Sequence, residues 1–494
     1  MYKLNGTQDY WNQIQKYFKI KQAKEHYIKR LAWFLIFGLA VYSIYLLHTR
    51  AEAVSLDKAF LALGVIWLGF LPTIQFLLDR NRPPMPFFPL LGIFYATSFG
   101  LPIFAAKEEF SSLASVSNEA LILTFIGLAG MNIAFFASKS TLLKKVLPFR
   151  LTQKYPINRL LIAIWILLLS NTVIRYAFPD APSVSMFTSK SLYIAYGMFY
   201  ILWNRRKLPK IQTWLLVLIF IPLEIVPRLA SGLLAEFMLL CLFMFHMVWY
   251  ERKKIPIVLI AILIVLYLAF NPVKSDYRSL TWGDNRPQGQ LNLIERLELF
   301  INLAVEYHQQ YTFNDSPVQS APKISATDKV IERSAQIVLL SDVMESSPEI
   351  VPYWNGETYF PLLTSYIPRA VWPEKPVLNT GNEFGRRYKI IDVNDFVTSV
   401  NLPMLVEMYV NFGSWGVIIG MPLLGFLLAL IDQKLNHPAM NELEFVIGAS
   451  TIFQLSYQES SASLLLGNVI PFVVANYIFF KLILGRQRFE SIRK

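Results

Sequence analysis

The sequence predicts an all-α polytopic membrane protein with about twelve transmembrane helices and one large loop outside the membrane. Of its 494 residues, 54% are hydrophobic and only 16% are charged. Soluble domains carry about 25% charged residues, so an ordinary water-soluble fold is excluded. Apolar runs of about 18 residues or more recur along the chain, and a helix of that length can cross a bilayer.

The predicted spans form two groups, separated by one long polar stretch. The first group lies near residues 31–48, 59–78, 86–106, 119–138, 157–178, 184–203, 211–227, 230–250 and 255–271. The second group lies near residues 403–431, 444–458 and 463–484. The chain therefore divides into a basic N-terminus (1–30), a nine-span bundle (31–271), a large loop (272–402), a three-span bundle (403–484) and a tail (485–494).

Basic residues predict the orientation of the spans, because lysine and arginine favour the cytoplasmic side of short connections. Every second connection is rich in them, as in the cluster Arg205, Arg206 and Lys207, while the connections between carry few. This alternation predicts that both termini face the cytoplasm and that the large loop faces outward. It also accounts for the net charge of +12, so no nucleic-acid partner is expected.

Two polar segments have predicted structure of their own. Residues 1–30 mix lysines with aromatic residues, which fits either an amphipathic helix on the inner leaflet or a disordered basic tail, and the sequence leaves both open. Inside the loop, apolar residues at helical spacing predict helices over 291–313 and 326–344. Residues 354–359 (Trp-Asn-Gly-Glu-Thr-Tyr) have the composition of a turn.

The sequence lacks the common motifs that bind metal ions or nucleotide cofactors. The sequence has no Gly-Lys phosphate loop, no His-Glu-x-x-His and no Cys-x-x-Cys, and its five histidines lie far apart. The single cysteine, Cys241, lies in an apolar run and predicts a buried structural thiol. Asp392 and Asp395 could bind a divalent cation, but this spacing is common. We expect neither a metal nor a cofactor.

Basic residues near the outer boundary are the first candidates for a binding site. A guanidinium offers a fixed fork of donors that matches phosphate oxygens and stays charged at any working pH. Each such residue alone also fits an interfacial side chain that extends its charged head into water. As a set they favour a lipid-linked diphosphate as the ligand. The candidates are Arg175, Arg228, Arg278, Arg369, Lys375, Arg386 and Arg387.

Carboxylates supply the candidate base. Glu407 lies near the outer end of the tenth predicted span, with Asn411 on the same helical face one turn later. A carboxylate there could accept a proton from a sugar hydroxyl, or simply hold a neighbouring span by a hydrogen bond. Glu236 and Asp276 are further candidates, while the spacing of Glu224 and Arg228 predicts an ion pair. Aromatic residues near the loop suit either sugar stacking or the interfacial aromatic belt; they are Tyr353, Trp354, Tyr359, Phe360, Tyr366 and Trp372.

Three strings carry a resemblance to a known family. They are Gly356-Glu-Thr-Tyr359, Ile367-Pro-Arg-Ala-Val-Trp-Pro-Glu-Lys-Pro376 and Glu407-Met-Tyr-Val-Asn-Phe-Gly-Ser-Trp-Gly416. Together with the span layout, they resemble bacterial oligosaccharide repeat-unit polymerases, the Wzy-type O-antigen and exopolysaccharide polymerases. The resemblance is concentrated in residues 271–432, and the first nine spans share only the layout.

This resemblance implies a metal-independent glycosyltransferase of the membrane-embedded GT-C type, in the cytoplasmic membrane of a bacterium. It would transfer a growing glycan from undecaprenyl diphosphate to another lipid-linked repeat unit on the outer face. Lipid-linked oligosaccharides and membrane lipids would be its partners, and a chain-length regulator is a further candidate. By this resemblance Glu407 would be the base, with His308 in reserve, and the diphosphate would be held by Arg278, Arg369, Arg386 and Arg387.

Two alternatives remain open at this stage. An O-antigen ligase would use the same donor and differ only in its acceptor. A lipid-oligosaccharide transporter would favour inverted repeats and charged residues near the middle of the membrane, whereas this chain gathers its polar residues in one loop.

Overall fold

The structure is a computed structural model that describes most of the chain. The described residues are 4–105, 111–151, 155–177, 182–232, 234–253, 256–281, 291–313, 334–364, 367, 372, 374, 379–456, 458–467 and 469–485. Within them every regular element is a helix, which confirms the predicted all-α class.

The helices follow the predicted grouping. Before the loop they are Leu4–His48, Leu56–Leu78, Phe87–Tyr95, Ser111–Ala114, Asn118–Ser140, Ile157–Ala177, Pro182–Asn204, Lys210–Leu215, Ile221–Ala230, Leu234–Arg252 and Ile257–Phe270. In the loop they are Lys274–Thr281, Leu293–Phe313, Gln336–Ser346, Phe360–Thr364 and Thr380–Arg387. After it come Met404–Leu435, Glu442–Ile452, Ala462–Leu466 and Val469–Leu484. Short π and 3-10 turns lie at Ala96–Gly100, Leu101–Ala105, Leu216–Phe220, Glu357–Tyr359 and Phe453–Ser456.

Eight helical segments in the described residues are long and apolar enough to cross a membrane, so the protein is a polytopic membrane protein. They are Glu25–His48, Leu56–Leu78, Phe87–Ala105, Asn118–Ser140, Ile157–Ile174, Lys210–Ala230, Met404–Leu435 and Ala462–Leu484.

The remaining four predicted spans are helical, but within the described residues they are not both long enough and apolar enough to count as candidate membrane spans. Ile257–Phe270 has 14 residues, about 21 Å of helix against a hydrocarbon core of about 30 Å. Glu442–Ile452 has 11 residues and continues as a 3-10 turn. The other two are Pro182–Asn204 and Leu234–Arg252. The count of twelve therefore stays a prediction.

The polar segments have the following structure. Leu4–His48 is one unbroken helix of 45 residues, so the N-terminus is helical and continues directly into the first span; its position on the inner leaflet stays a prediction. Leu293–Phe313 confirms the first predicted loop helix, and Gln336–Ser346 confirms the end of the second; residues 326–333 lie outside the described residues. The predicted turn at residues 354–359 is present, with Gly356 at a φ of +91°.

The centre of the bundle is the helix Glu442–Ile452, which we call the central helix. Every residue from Leu443 to Ile452 is buried. A capping box begins it: Asn441 Oδ1 accepts from the Glu444 N–H at 2.9 Å, and Glu444 Oε2 accepts from the Asn441 N–H at 3.0 Å. Glu444 also binds Arg150 at 3.2 Å. This ion pair ties the connection between the helices Asn118–Ser140 and Ile157–Ala177 to the central helix.

The apolar run predicted as one span over residues 403–431 is broken, which corrects that prediction. Phe412 and Gly413 have non-helical backbone angles, with Gly413 at φ +60° and ψ −151°. Residues 404–411, which we call the fold-back segment, turn back against the following helix, and the Met408 carbonyl oxygen lies against Gly416. A Cβ at Gly416 would overlap that oxygen, so the close approach requires glycine. The remaining helix, residues 414–435, is about 33 Å long, which is still enough to cross a bilayer.

Candidate functional site

Glu407 lies in the fold-back segment with 0% of its surface exposed. Its Oε2 atom accepts a hydrogen bond of 2.6 Å from the backbone N–H of Ala462, where the short helix Ala462–Leu466 begins. Its Oε1 atom has no hydrogen-bond partner of ordinary geometry in the described residues. The Thr358 hydroxyl lies close enough to interact with the same carboxylate. One carboxylate oxygen is therefore fixed, and the other is buried without an ordinary hydrogen bond to the described residues.

Asn411 joins the fold-back segment to the turn at residues 354–359. Its Nδ2 donates to the Glu407 carbonyl oxygen and to Thr358 Oγ1, both at 2.8 Å. Its Oδ1 accepts from the Gly356 N–H at 2.9 Å. The side-chain amide thus uses both ends to hold Thr358 beside the carboxylate.

Backbone hydrogen bonds hold the same turn in place. The Trp354 N–H donates to the Val410 carbonyl, and the Asn355 N–H donates to the Asn411 carbonyl, each at 3.1 Å. These carbonyls lie at the end of the fold-back segment, where a helix has no partners of its own for them. The break at Gly413 therefore creates the acceptors that the turn binds.

Aromatic side chains border the carboxylate. Tyr359 stacks on Phe412 with ring centroids 6.3 Å apart. Burial raises the pKa of Tyr359, and the nearby Glu407 charge raises that pKa further, so the phenol keeps its proton. Tyr353 packs edge-on against Tyr409 and places its hydroxyl beside Gly413.

Arg387 is the predicted phosphate ligand that the structure brings to this turn. Its guanidinium lies over the Trp354 ring, 4.0 Å from the centroid. It also pairs with Glu357 at 3.3 Å and with Glu383. An anion could reach this guanidinium by displacing one of the two partly exposed glutamates.

Arg386 has a structural position instead. Its Nε donates to Asn382 Oδ1 at 2.9 Å, and its guanidinium lies 4.4 Å from the centre of the Phe396 ring. The Asn382 amide binds the carbonyls of Asp395 and Thr398 at 2.8 and 2.7 Å. Arg386 therefore supports the loop that follows its own helix.

Arg228 and Arg278 lie together elsewhere in the molecule. Arg228 forms the predicted ion pair with Glu224, and Arg278 donates to the Gly232 carbonyl at 3.0 and 3.2 Å. Val273 and Tyr277, which flank this region, belong to a hydrophobic cluster separate from the main core.

The reserve base, His308, lies on the helix Leu293–Phe313, whose residues Phe300 and Ala304 belong to that separate cluster. It is exposed and lies 3.2 Å from the Ala269 carbonyl oxygen. It lines a cavity of about 390 Å³ whose other walls are mainly apolar, such as Phe270 and Ile301. The structure thus separates the two candidate bases that the sequence analysis grouped.

The other candidates are placed as follows. Arg175 and Glu236 lie within helices, but the structure does not describe their side chains; Arg369 and Lys375 lie outside the described residues altogether.

The remaining acidic and thiol candidates are described. Asp276 is exposed, and Cys241 is half-buried rather than buried as predicted. Asp392 and Asp395 accept hydrogen bonds from backbone N–H groups just after them. The described part of the chain contains no group of three acidic, histidine or cysteine side chains that could hold a metal ion.

A family model described as a domain of unknown function, DUF8712, matches residues 87–489. The chain belongs to this family. No curated protein and no solved structure matches the chain. The DUF8712 match includes the turn at residues 354–359, the fold-back segment and Ala462, and begins after the helix Leu56–Leu78.

Sequence reasoning missed one polar segment inside the DUF8712 region, residues 456–463 (Ser-Tyr-Gln-Glu-Ser-Ser-Ala-Ser). Gln458 is fully buried, and its Oε1 accepts from the Tyr95 hydroxyl at 2.8 Å. Its Nε2 has no hydrogen-bond partner in the part of the chain that is described. Within this segment, Glu459 accepts a hydrogen bond of 2.8 Å from the Asn401 side chain. The signal was present as a polar run between two apolar stretches, and this run connects the 3-10 turn Phe453–Ser456 to the helix Ala462–Leu466, where Glu407 binds Ala462.

Proposed function

We propose that the protein is a GT-C-type membrane glycosyltransferase that polymerises undecaprenyl-diphosphate-linked oligosaccharide repeat units at the outer face of a bacterial cytoplasmic membrane. The observation that carries the proposal is Glu407. This buried carboxylate has one oxygen fixed by Ala462 and one oxygen free of ordinary hydrogen bonds to the described residues. It lies where the large loop, the fold-back segment and the last membrane helix meet.

The chemistry assigned to this site is a direct glycosyl transfer. Glu407 takes the proton from a hydroxyl of the acceptor sugar as that oxygen bonds to the anomeric carbon of the donor. The bond from the anomeric carbon to the diphosphate oxygen breaks, and its electron pair leaves with the lipid diphosphate. Guanidinium groups would stabilise the charge that develops there, with Arg387 and Arg369 as the candidates.

Two of the three strings that carry the family resemblance are in direct contact, which supports the proposal. The Asn411 side chain bonds both Gly356 and Thr358, so the first and third strings form one unit around Glu407. Phe412, which is 47% exposed and stacks on Tyr359, adds an aromatic side chain at the border of that unit, as a sugar-binding site would need.

A lipid-oligosaccharide transporter is the second candidate. The short connection between the turn Phe453–Ser456 and the helix Ala462–Leu466, with Gln458 buried inside it, is the observation that favours it. Interrupted helices with inward polar groups form substrate sites in many transporters. A ligase would use the same site as the polymerase with another acceptor.

The test is reconstitution of the purified protein in liposomes with lipid-linked single repeat units. The polymerase proposal expects products many repeats long, and Glu407→Gln abolishes them. Glu349→Gln, which changes an exposed glutamate of the loop, is the matched control and keeps them.

Other products would decide against polymerisation. Transfer that requires a second, chemically different acceptor would identify a ligase. Movement of the lipid-linked unit across the bilayer without a new glycosidic bond would identify a transporter. Long products from the Glu407→Gln variant would remove Glu407 from the reaction.

A further inference from the structure

A second polar site lies at the opposite end of the bundle from Glu407. Two adjoining cavities of about 480 and 550 Å³ share Asp79, Asn81, Pro83 and Lys139 among their walls. We call the pair the basal cleft. The buried carboxylate of Asp432, one turn from the end of the long helix, also lines it.

The basal cleft lies at a membrane boundary. Asp79 directly follows the span Leu56–Leu78, and Lys139 lies in the last turn of Asn118–Ser140. Phe87 begins the next span, so several candidate spans end around the same cleft. The distribution of basic residues predicts that this end faces the cytoplasm. A ligand held here would lie at the depth of lipid headgroups.

The mouth of the cleft offers groups of both charges. Lys139 Nζ pairs with Asp432 Oδ2 at 2.5 Å, and an ammonium has two further donors to give. Asp79 is exposed; one of its oxygens accepts from the Asn81 N–H at 2.8 Å, and its other oxygen has no partner within the described residues. Among the lining side chains Lys139 pairs with Asp432, and Asp79 is left without a cation of the lining; the nearby Arg82 donates to the Asp79 backbone carbonyl at 3.0 Å.

His437 adds a donor to the same mouth. Its Nδ1 accepts from the Ala439 N–H at 3.1 Å, so the neutral ring carries its proton on Nε2. Burial, together with the charges of Arg150 and Lys139, lowers the pKa of His437 and keeps the ring neutral near pH 7. Lys139 and His437 can therefore both donate to a phosphate, while Asp79 accepts.

Below this polar mouth the wall of the cleft is aromatic. Phe88 stacks on Phe135 with ring centroids 3.6 Å apart, and Phe136 meets Phe88 edge-on. Phe76 and the partly exposed Leu78 continue the apolar wall along the helix Leu56–Leu78, toward its lipid-facing side. A polar mouth above an apolar wall at a membrane boundary matches a lipid rather than a soluble metabolite.

We infer that the basal cleft binds a phospholipid whose headgroup carries a primary ammonium, as phosphoethanolamine does. The headgroup ammonium donates to Asp79, the phosphate accepts from Lys139 and His437, and an acyl chain lies along the aromatic wall. A quaternary ammonium has no N–H to donate to Asp79, and an uncharged glycerol headgroup brings no cation to pair with Asp79.

The test is native mass spectrometry of the full chain in detergent with an equimolar mixture of phosphatidylethanolamine, phosphatidylcholine and phosphatidylglycerol of matched acyl chains. We expect phosphatidylethanolamine to be retained about threefold or more over the others, since one partly exposed ammonium–carboxylate contact contributes on this scale. Asp79→Asn removes the charge but keeps an oxygen for the Asn81 N–H, and we expect it to abolish the preference. Asp57→Asn, at the opposite end of the same helix, is the control and keeps it.

Several outcomes would overturn the inference. These are equal retention of the three lipids by the wild type, or an unchanged preference in the Asp79→Asn variant. Soluble glycerophosphoethanolamine is added in a further arm. If it displaces the lipid at millimolar concentration, the aromatic wall contributes nothing and the lipid assignment is wrong.

Discussion

Gly356 and Asn411 are 55 positions apart and are joined by a hydrogen bond of 2.9 Å from the glycine N–H to the asparagine Oδ1. Through it, a turn of the large loop is fixed to the membrane bundle, next to the carboxylate of Glu407. The other end of the same amide holds Thr358. The position of the loop over the candidate site therefore depends on one buried side chain.

Asn411→Ala should loosen this junction. The change removes three hydrogen bonds and leaves the Gly356 N–H without its partner, which should cost on the order of 2–3 kcal/mol of folding free energy. Thermal unfolding of the purified protein in detergent measures the effect. Asn394→Ala, at an exposed loop position, should change stability by less than about 0.5 kcal/mol. Equal unfolding temperatures for the two variants would contradict the assigned role of Asn411.

Gly416→Ala should disrupt the fold-back segment. The added methyl group would overlap the Met408 carbonyl oxygen, a backbone atom that no side-chain rotation can move, at a cost of about 3 kcal/mol or more. The folded fraction after size-exclusion chromatography measures it. Gly38→Ala is the control, since a methyl group there meets nothing within 4 Å and favours the helix. A Gly416→Ala protein as stable as the control would show that residues 404–411 do not fold back.

Glu407→Gln and Glu407→Ala should separate folding from activity. Glutamine keeps an oxygen for the Ala462 N–H, so we expect normal folding without product formation. Alanine leaves that buried N–H without an acceptor and should also lower stability, by about 2 kcal/mol or more. Unfolding temperature and product length are measured on the same preparations. If glutamine destabilises the protein as much as alanine does, the carboxylate has a structural role.

Glu357→Gln should strengthen substrate binding if Arg387 holds a diphosphate. The Glu357–Arg387 pair is largely exposed, with side chains 54% and 37% accessible, so its loss should cost only about 0.2–1 kcal/mol of stability. Removing the competing carboxylate leaves the guanidinium freer for phosphate, and we expect KM for the lipid-linked donor to fall a few-fold with kcat unchanged. Arg387→Ala should raise KM. No change in KM from either variant would exclude Arg387 from the donor site.

Local contacts were the part of the site that could be predicted from sequence. Glu407 and Asn411 were expected on one helical face, and the structure joins them by a hydrogen bond one turn apart. The ion pair of Glu224 and Arg228 followed from the same spacing. In each case a short, regular backbone determines the distance, so sequence separation is enough information.

Features that depend on backbone angles or distant packing could not be predicted. The run from Pro403 to Leu430 is apolar apart from Glu407, Asn411 and Ser414, and hydropathy carries no signal for the break at Gly413. The bond between Tyr95 and Gln458 joins residues 363 positions apart. Likewise, nothing in the linear order showed that the helix carrying His308 contributes to a hydrophobic cluster separate from the main core, because His308 and Glu407 adjoin the same loop.

The central helix has a consequence for how the protein is made. It has 11 residues before the 3-10 turn Phe453–Ser456, shorter than the helices that usually span a bilayer, and it is buried from Leu443 to Ile452, so that stretch presents no side to lipid. The translocon releases helices into the bilayer according to their length and hydrophobicity. We therefore expect it not to insert the central helix as an independent span. Its place must be formed by helices already assembled, such as Pro182–Asn204 and Met404–Leu435, which pack against it. The bundle is thus completed late in synthesis, around a segment that reaches the membrane interior only through the helices that surround it.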